Sequence, residues 1–372
     1  MEAGGGHGAV TTATSTDGSL FARTWARTDQ AYIASPAFDW IFFLLSPVLI
    51  LVLAEAVSGF AWPFDRTHAL GDVDTRAAFC VGVFSTAHLI AGYFRSHANG
   101  EIFAQHRFRF LAVPPLLLGA LVVSEWALVC AFVVAAVWDI WHTALQNFGL
   151  GRIYDARLGN PPEQGRQLDI WLHLLVYVGP LLAGPSLYRS VRDVERFSAL
   201  GWDAPVQWLE AFVAIQPWMT AVILGGGALF LVHYVLSYAR LVRGGYRVSR
   251  QKMVMLVSIA ATSIFAWSVL PPLEAMVITT TYHAFQYFGI VWWTEKRSIR
   301  RTLGLSRIGV TGGLAFALWM AVLILAAMAT ETGSRSTLHA AWAFGLVVAL
   351  MHFWYDGFIW SVRRREVGQS DA

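Results

Sequence analysis

Charged side chains are scarce in this sequence. Lysine and arginine together number 27 and aspartate and glutamate 24 among 372 residues, so that 14% of the chain is charged, whereas soluble domains average about a quarter. Hydrophobic residues make up 56% and include 17 tryptophans. This composition excludes an ordinary soluble domain and predicts a polytopic integral membrane protein.

Cysteine and the common catalytic motifs are also scarce or missing. Cys80 and Cys130 both fall in apolar segments, where we expect small buried side chains and no disulfide framework. The sequence contains no CxxCH for covalent haem, no glycine-rich phosphate loop followed by Lys and Ser or Thr, and no GxSxG elbow. The net charge of +3 is explained by membrane topology and predicts no nucleic-acid partner.

Long apolar segments are abundant instead. Runs of about 17 to 25 residues predict an all-α bundle of about ten transmembrane helices. The predicted spans are 39–57, 76–96, 108–124, 126–148, 169–188, 217–240, 252–270, 273–293, 308–330 and 338–362. Only Ser124 and Glu125 separate the third from the fourth, which indicates either a tight helical hairpin or one segment wrongly divided.

The domain organisation follows from these spans. Residues 36–365 form one predicted transmembrane domain, the Gly/Ala/Thr-rich residues 1–35 a flexible cytoplasmic tail, and residues 366–372 a second cytoplasmic tail. If the even-numbered spans end inside, most of the 27 basic residues are cytoplasmic, which predicts that both termini are inside. The preference for arginine over lysine is consistent with a bacterial plasma (inner) membrane.

Five spans share one ending, a histidine followed by aromatic side chains and then by arginine or lysine. These histidines are His88, His142, His233, His283 and His352. All lie near the ends of even-numbered spans, so the predicted orientation places them towards the cytoplasmic side. Because histidine inside an apolar span is costly, it is by default a functional hypothesis. We predict one assembled metal site, with His97 in the following loop and His233 as reserve ligands.

Two aspartates accompany these histidines at helical spacing. Asp139 precedes His142 by three residues and Asp356 follows His352 by four, so each pair shares a helix face. Imidazoles with carboxylates suit iron better than copper, and an acid and a histidine three apart supply ligands in soluble di-iron bundles. The two aspartates are predicted to be carboxylate ligands or hydrogen-bond partners of the imidazoles, with catalytic roles.

Glutamines and tyrosines follow on the same segments. Gln146 begins the phrase QNFG and Gln286 the phrase QYFG, which together form a faint internal repeat. Amide side chains beside a metal site orient the ligating rings, so both are predicted to support the cofactor. Tyr282 and Tyr287 are predicted to line the same pocket.

The layout of histidines at the ends of successive apolar helices resembles the integral-membrane histidine-rich non-haem iron enzymes of the lipid desaturase and hydroxylase type. The resemblance implies one or two iron ions, dioxygen, an acyl or other long hydrophobic substrate and external electrons. The chain departs from that group because it lacks HxxxH and HxxHH clusters, and its nearest pair, His88 and His97, is nine residues apart. No individual ligand is therefore transferred by the resemblance.

The sequence predicts a membrane-embedded, metal-dependent oxidoreductase that acts on a lipid-phase hydrophobic substrate. Its electrons would come from an external donor, because no flavin or nicotinamide motif is present. Three alternatives stay open: a haem-binding electron-transfer protein, a proton or metal-ion transporter, and a zinc-dependent lipid hydrolase. The main ligands are predicted to be His88, His142, His283 and His352.

Overall fold

The structure, a computed structural model, describes residues 32–58, 70–186, 203–333 and 339–360. All regular secondary structure within these ranges is helical, as the composition predicts. Most of the predicted N-terminal tail and all of the predicted C-terminal tail lie outside the described residues. The same holds for the segments 59–69, 187–202 and 334–338.

Helices coincide with all ten predicted spans. In chain order they are α1 Pro36–Asp39, continued by a π-helical turn Trp40–Leu44; α2 Ser46–Ser58; α3 Leu70–Ser96; α4 Gly100–Leu111; α5 Val113–Val123; α6 Glu125–Arg157; α7 Arg166–Ala183; α8 Asp203–Arg243; α9 Arg250–Val269; α10 Pro272–Thr302; α11 Gly312–Gly333; and α12 His339–Ile359.

Six helical segments of the described chain are long and apolar enough to cross a membrane. They are Gly100–Val123, Glu125–Arg157, Val213–Arg243, Arg250–Val269, Gly312–Glu331 and Ala340–Ile359. A pair bent by 62°, Pro36–Leu44 with Ser46–Ala54, would add a seventh if it is one span. The chain is therefore an all-helical protein with several potential membrane spans, and the predicted count of about ten is not confirmed.

Local sequence explains two of the helix boundaries. Ser124 has extended backbone angles, and its side chain accepts a hydrogen bond from the Ala127 N–H at 3.2 Å, the geometry of an N-cap. The third and fourth predicted spans are thus two helices. Leu270 and Pro271 separate α9 from α10, because a proline disfavours helical backbone angles at the preceding residue, and Leu270 is extended.

Helix α10 packs along α3 and also contacts α2 and α9. Small buried side chains line this contact, with Ala87 and Ala91 on α3 and Ala284 on α10. Helix α11 covers another side of α3, while α12 packs on α3, α5 and α6, and α7 packs on α6, α8 and α9. This arrangement brings the histidine-bearing parts of α3, α6, α10 and α12 together.

The apolar outer surface fits a lipid environment. On α8, for example, Trp218, Val222 and Leu229 are each more than 70% exposed. Cys80 and Cys130 are also exposed, so the prediction that they are buried is wrong. Sequence alone could not decide this, because apolar side chains point outwards as readily as inwards when lipid is the solvent.

Candidate metal centre

Four of the predicted histidines meet inside the protein. His88 on α3, His142 on α6, His283 on α10 and His352 on α12 are all buried. The centroid of the His88 ring lies 4.3 Å from that of His352 and 4.6 Å from that of His283. The His142 ring is 5.0 Å from His352 and 5.1 Å from His283. We refer to these four residues as the histidine cluster.

Each ring of the cluster has at least one nitrogen without a hydrogen-bond partner among the described residues. In the described part of the chain, Nε2 of His88, His142 and His352 and both ring nitrogens of His283 are buried without a partner. Buried polar atoms are nearly always hydrogen-bonded, since leaving one unpaired costs about 1–3 kcal/mol. Because a neutral imidazole has a lone pair on only one of its ring nitrogens, the four rings could together donate up to four nitrogen lone pairs to a bound cation.

The donor atoms are close enough to one another to be candidate ligands of a shared ion. Two overlapping groups, His88 with His142 and His283, and His142 with His352 and Asp356, each keep one ligand atom per residue within 4.8 Å of the others. The Asp356 Oδ2 atom lies 3.6 Å from His352 Nε2 and 3.9 Å from His142 Nε2. Nitrogen and oxygen ligands at 2.0–2.2 Å from one ion are about 3–4 Å apart.

Asp356 is held in place by two donors. Its Oδ1 atom accepts hydrogen bonds from the Tyr287 hydroxyl at 3.0 Å and the Trp360 indole N–H at 3.1 Å. The other oxygen, Oδ2, is then directed at the imidazoles of His142 and His352. Outer hydrogen bonds of this kind orient a metal ligand, so Tyr287 belongs to the candidate site through its contact with the carboxylate.

A glycine that the sequence reasoning did not single out shapes the site. Gly92 lies one turn after His88 on α3, and a Cβ atom there would be 2.9 Å from His352 Nδ1 and 3.3 Å from the Tyr287 hydroxyl. The missing side chain lets α3 approach α10 and α12 closely enough for the rings to meet. Gly92 follows His88 by four residues and so lies on the same helix face, which is the sequence feature that could have identified it.

Three other residues were predicted to support the cofactor or line its pocket: Gln146, Gln286 and Tyr282. They contact main-chain atoms or a neighbouring apolar cluster. Gln146 donates from Nε2 to the main-chain oxygen of His283 at 3.0 Å, and Gln286 donates to that of Phe43 at 3.4 Å. Both amides therefore fix helices near the cluster. Tyr282 is fully buried in the adjoining apolar cluster that also contains Tyr177, and its hydroxyl has no partner in the described residues.

Three predicted site residues lie apart from both ligand groups. His97, in the loop after α3, stacks on Tyr93 with centroids 5.7 Å apart, and burial lowers the pKa of its imidazole. His233 is exposed on α8. Asp139 is half-buried on α6 and interacts electrostatically with Tyr177. Neither ligand group contains any of the three, so a direct role at the metal remains a prediction without geometric support.

A cavity of about 670 Å³ opens beside His142, Asp356 and Tyr287. It follows one face of α6, because its lining residues on that helix recur every three or four positions. They include Trp138, Trp141, Leu145, Gly149, Arg152 and Ala156. The opposite walls come from α12, through Phe353 and Gly357, and from the start of α7, through Arg166.

A buried ion network lies where the cavity reaches Arg152. The Arg152 guanidinium contacts Asp155 at 2.9 Å and Asp169 at 2.7 Å, and the Lys252 ammonium contacts the same two carboxylates at 2.8 and 2.7 Å. The Tyr238 hydroxyl also donates to Asp169. Two cations and two anions balance, so the network joins α6, α7 and α9 without excess charge. The only local sequence feature that predicts this network is the spacing of three residues between Arg152 and Asp155.

No family model, curated protein or solved structure matches this chain. The resemblance to lipid desaturases and hydroxylases is therefore neither supported nor opposed by relatives and remains a prediction. The functional interpretation depends on the geometry of the histidine cluster, Asp356 and the cavity.

Proposed function

We propose that the histidine cluster and Asp356 bind non-haem iron, and that the protein is a membrane oxidoreductase acting on a lipid-phase hydrophobic substrate. One observation carries the proposal: within the described residues, every ring of the histidine cluster has at least one buried nitrogen without a partner, and the rings form two overlapping ligand groups, one of which includes the Asp356 carboxylate. The apolar helices around them support a location within the membrane. Neither a packing role nor a surface role accounts for that many unpaired nitrogens.

The donor set favours iron among the common metals. Imidazole suits iron, zinc and copper, whereas an added carboxylate favours iron over copper. His142 belongs to both ligand groups, so the set has room for one ion or for two that share this region. Iron held by such ligands supplies one-electron and dioxygen chemistry.

The geometry disfavours haem. A haem with two axial histidines places its flat macrocycle between two rings on opposite sides. Here four of the ring pairs approach edge to face, with interplanar angles of 74° to 86° and centroids 4.3 to 5.1 Å apart, and the His88 and His142 rings are stacked at 30° with centroids 5.9 Å apart. Rings packed this closely leave no plane for a macrocycle, and so a bare ion fits better.

Protein side chains would perform three tasks at this site. The Asp356 carboxylate offsets part of the ion's charge in a region of low dielectric constant. Tyr287 and Trp360 fix the carboxylate through their hydrogen bonds. The apolar cavity walls bind the substrate and exclude water. Electrons would arrive from an external donor on the cytoplasmic side of a bacterial plasma membrane, where the proposed topology places the cluster.

Metal analysis of the purified full-length protein tests the proposal. We expect one or two irons per chain and no intense haem band in the visible spectrum. The variant His142→Ala should lose the metal, whereas His233→Ala, which changes an exposed histidine on α8, should keep it. A haem band would make the protein a haem carrier, stoichiometric zinc would indicate a hydrolase, and a protein that stays metal-free after reconstitution would favour transport.

A further inference from the structure

The cavity beside the histidine cluster is elongated and chemically polarised. Its α6 wall extends from Trp138 to Ala156, which are 18 positions apart, or about 27 Å at 1.5 Å per residue. The end near Trp138 and Phe353 is aromatic, while the other end contains Arg152 and Arg166. Its volume of about 670 Å³ lies within the range of small-molecule sites, about 300–1,000 Å³.

Arg166 is the available positive charge at the polar end. Arg152 is already neutralised by Asp155 and Asp169. The Arg166 guanidinium lies 5.6 Å from the ring centroid of Phe148, and no carboxylate of the described chain pairs with it. Arg166 is also the first residue of α7, whose N-terminus has no side-chain cap, so the positive end of the helix dipole adds to its charge.

The apolar end borders the lipid-facing surface. Trp141 lines the cavity and is 45% exposed, and the nearby Val137 on the same helix is 65% exposed. Helix α6 is itself long and apolar enough to cross a membrane. A hydrocarbon chain in the bilayer therefore meets a hydrophobic wall at the level of Trp141, from which the cavity leads past the histidine cluster.

We propose that the cavity binds a single-chain anionic amphiphile, with its head group at Arg166 and its chain lying along α6 past the histidine cluster. This inference rests on the proposed function. It adds that the substrate is an anion, that its head group points towards Arg166, and that one position of its chain faces the histidine cluster. The Arg166 guanidinium lies beside Phe148, which is six residues from His142, about 9 Å along the helix, and Trp138 lies four residues from His142 on the other side, about 6 Å. The reacting position is thus near the middle of the chain.

Binding of radiolabelled hexadecanoate to the full-length protein in detergent tests the head group. We expect hexadecanoate to bind more tightly than hexadecanol, and Arg166→Gln to weaken hexadecanoate at least about tenfold, because the variant loses a charged hydrogen bond to the carboxylate. Arg166→Lys should largely restore binding because it keeps the charge. Arg240→Gln, which changes an exposed arginine on α8, is the matched control and should bind normally.

Filling the cavity tests where the chain lies. A Cβ atom at Gly149 would meet no protein atom within 4 Å, and Gly149 lines the cavity, so a longer side chain there would extend into it. Gly149→Leu should therefore fold normally and abolish binding of hexadecanoate. Gly225→Leu adds the same side chain at an exposed position on α8 that is equally free of neighbours, and it should leave binding unchanged.

Photocrosslinking tests the direction of the chain. A hexadecanoate with a diazirine near its tail methyl should label the α6 segment around Trp138 and Trp141, and one with a diazirine beside the carboxylate should label the start of α7. Reversed labelling would overturn the proposal, as would equal affinity for hexadecanol, normal binding by Gly149→Leu, or stronger competition by a two-chain phosphatidylglycerol.

All three measurements are made on metal-loaded and chelator-treated protein. Selective, correctly oriented binding by a protein that never holds metal would reject the proposed oxidoreductase and support the amphiphile site. A protein with iron but without selective binding would retain the proposed function and reject this inference.

Discussion

The Tyr287 hydroxyl lies 3.0 Å from Asp356 Oδ1, while Asp356 Oδ2 lies 3.6 Å from the Nε2 atom of His352. One carboxylate thus joins a hydrogen-bond donor on α10 to the histidine cluster. The indole of Trp360 donates to the same oxygen as Tyr287. The direction in which Asp356 presents its free oxygen depends on these two donors.

Tyr287→Phe should weaken metal binding without unfolding the protein. The change removes one of the two donors to Asp356 and keeps the ring that packs against His88. Loss of such an outer hydrogen bond typically lowers metal affinity about 10- to 100-fold. Competition with a chelator measures this affinity. Tyr93→Phe, on the exposed surface of α3, is the control, and an unchanged affinity of Tyr287→Phe would remove Tyr287 from the site.

Gly92→Ala should displace the His352 ring. The added methyl group would lie 2.9 Å from His352 Nδ1, too close for an undisturbed ring, so we expect a clear loss of bound metal. The substitution otherwise favours a helix by about 1 kcal/mol. Gly119→Ala, on α5 with no neighbouring atom within 4 Å, should keep its metal. Full metal content in Gly92→Ala would mean that the close contact is unimportant.

Asp169→Asn should lower the thermal stability of the protein. The variant leaves Arg152 and Lys252 facing only one carboxylate, Asp155, in a buried site. Breaking a buried ion pair in this way costs about 3–5 kcal/mol. Unfolding followed by circular dichroism in detergent should show a lower midpoint, with normal metal content below it. Glu101→Gln, which changes an exposed acid at the start of α4, should shift the midpoint little.

The helices and the four clustered histidines are predictable from the amino-acid sequence because both depend on local patterns. Apolar runs long enough to span a bilayer coincide with helices throughout the described chain. The ending shared by His88, His142, His283 and His352 reflects helices that bring polar groups to a common depth. These residues were recognisable because a membrane segment rarely carries an unneeded imidazole.

The direction in which each side chain points could not be predicted from these patterns. His233 has the same sequence ending as the clustered histidines, yet α8 presents it on the exposed surface. Asp139 and Asp356 have equivalent helical spacings, but only Asp356 faces the cluster. Gly92 is important only because two other helices approach it. Such properties depend on how helices pack, which no single segment specifies.

His88 and His97 should differ in their importance for metal binding. His88→Ala should abolish metal binding, because its ring lies within 4.6 Å of both His283 and His352 and belongs to a ligand group. His97→Phe should keep the metal, since His97 is packed among the rings of Tyr93, Phe103 and Phe110, which a phenyl ring can join. Iron content of the two purified variants is the measurement. Loss of iron in both would show that the ion is coordinated from the loop after α3 as well, and would move the centre towards the end of that helix.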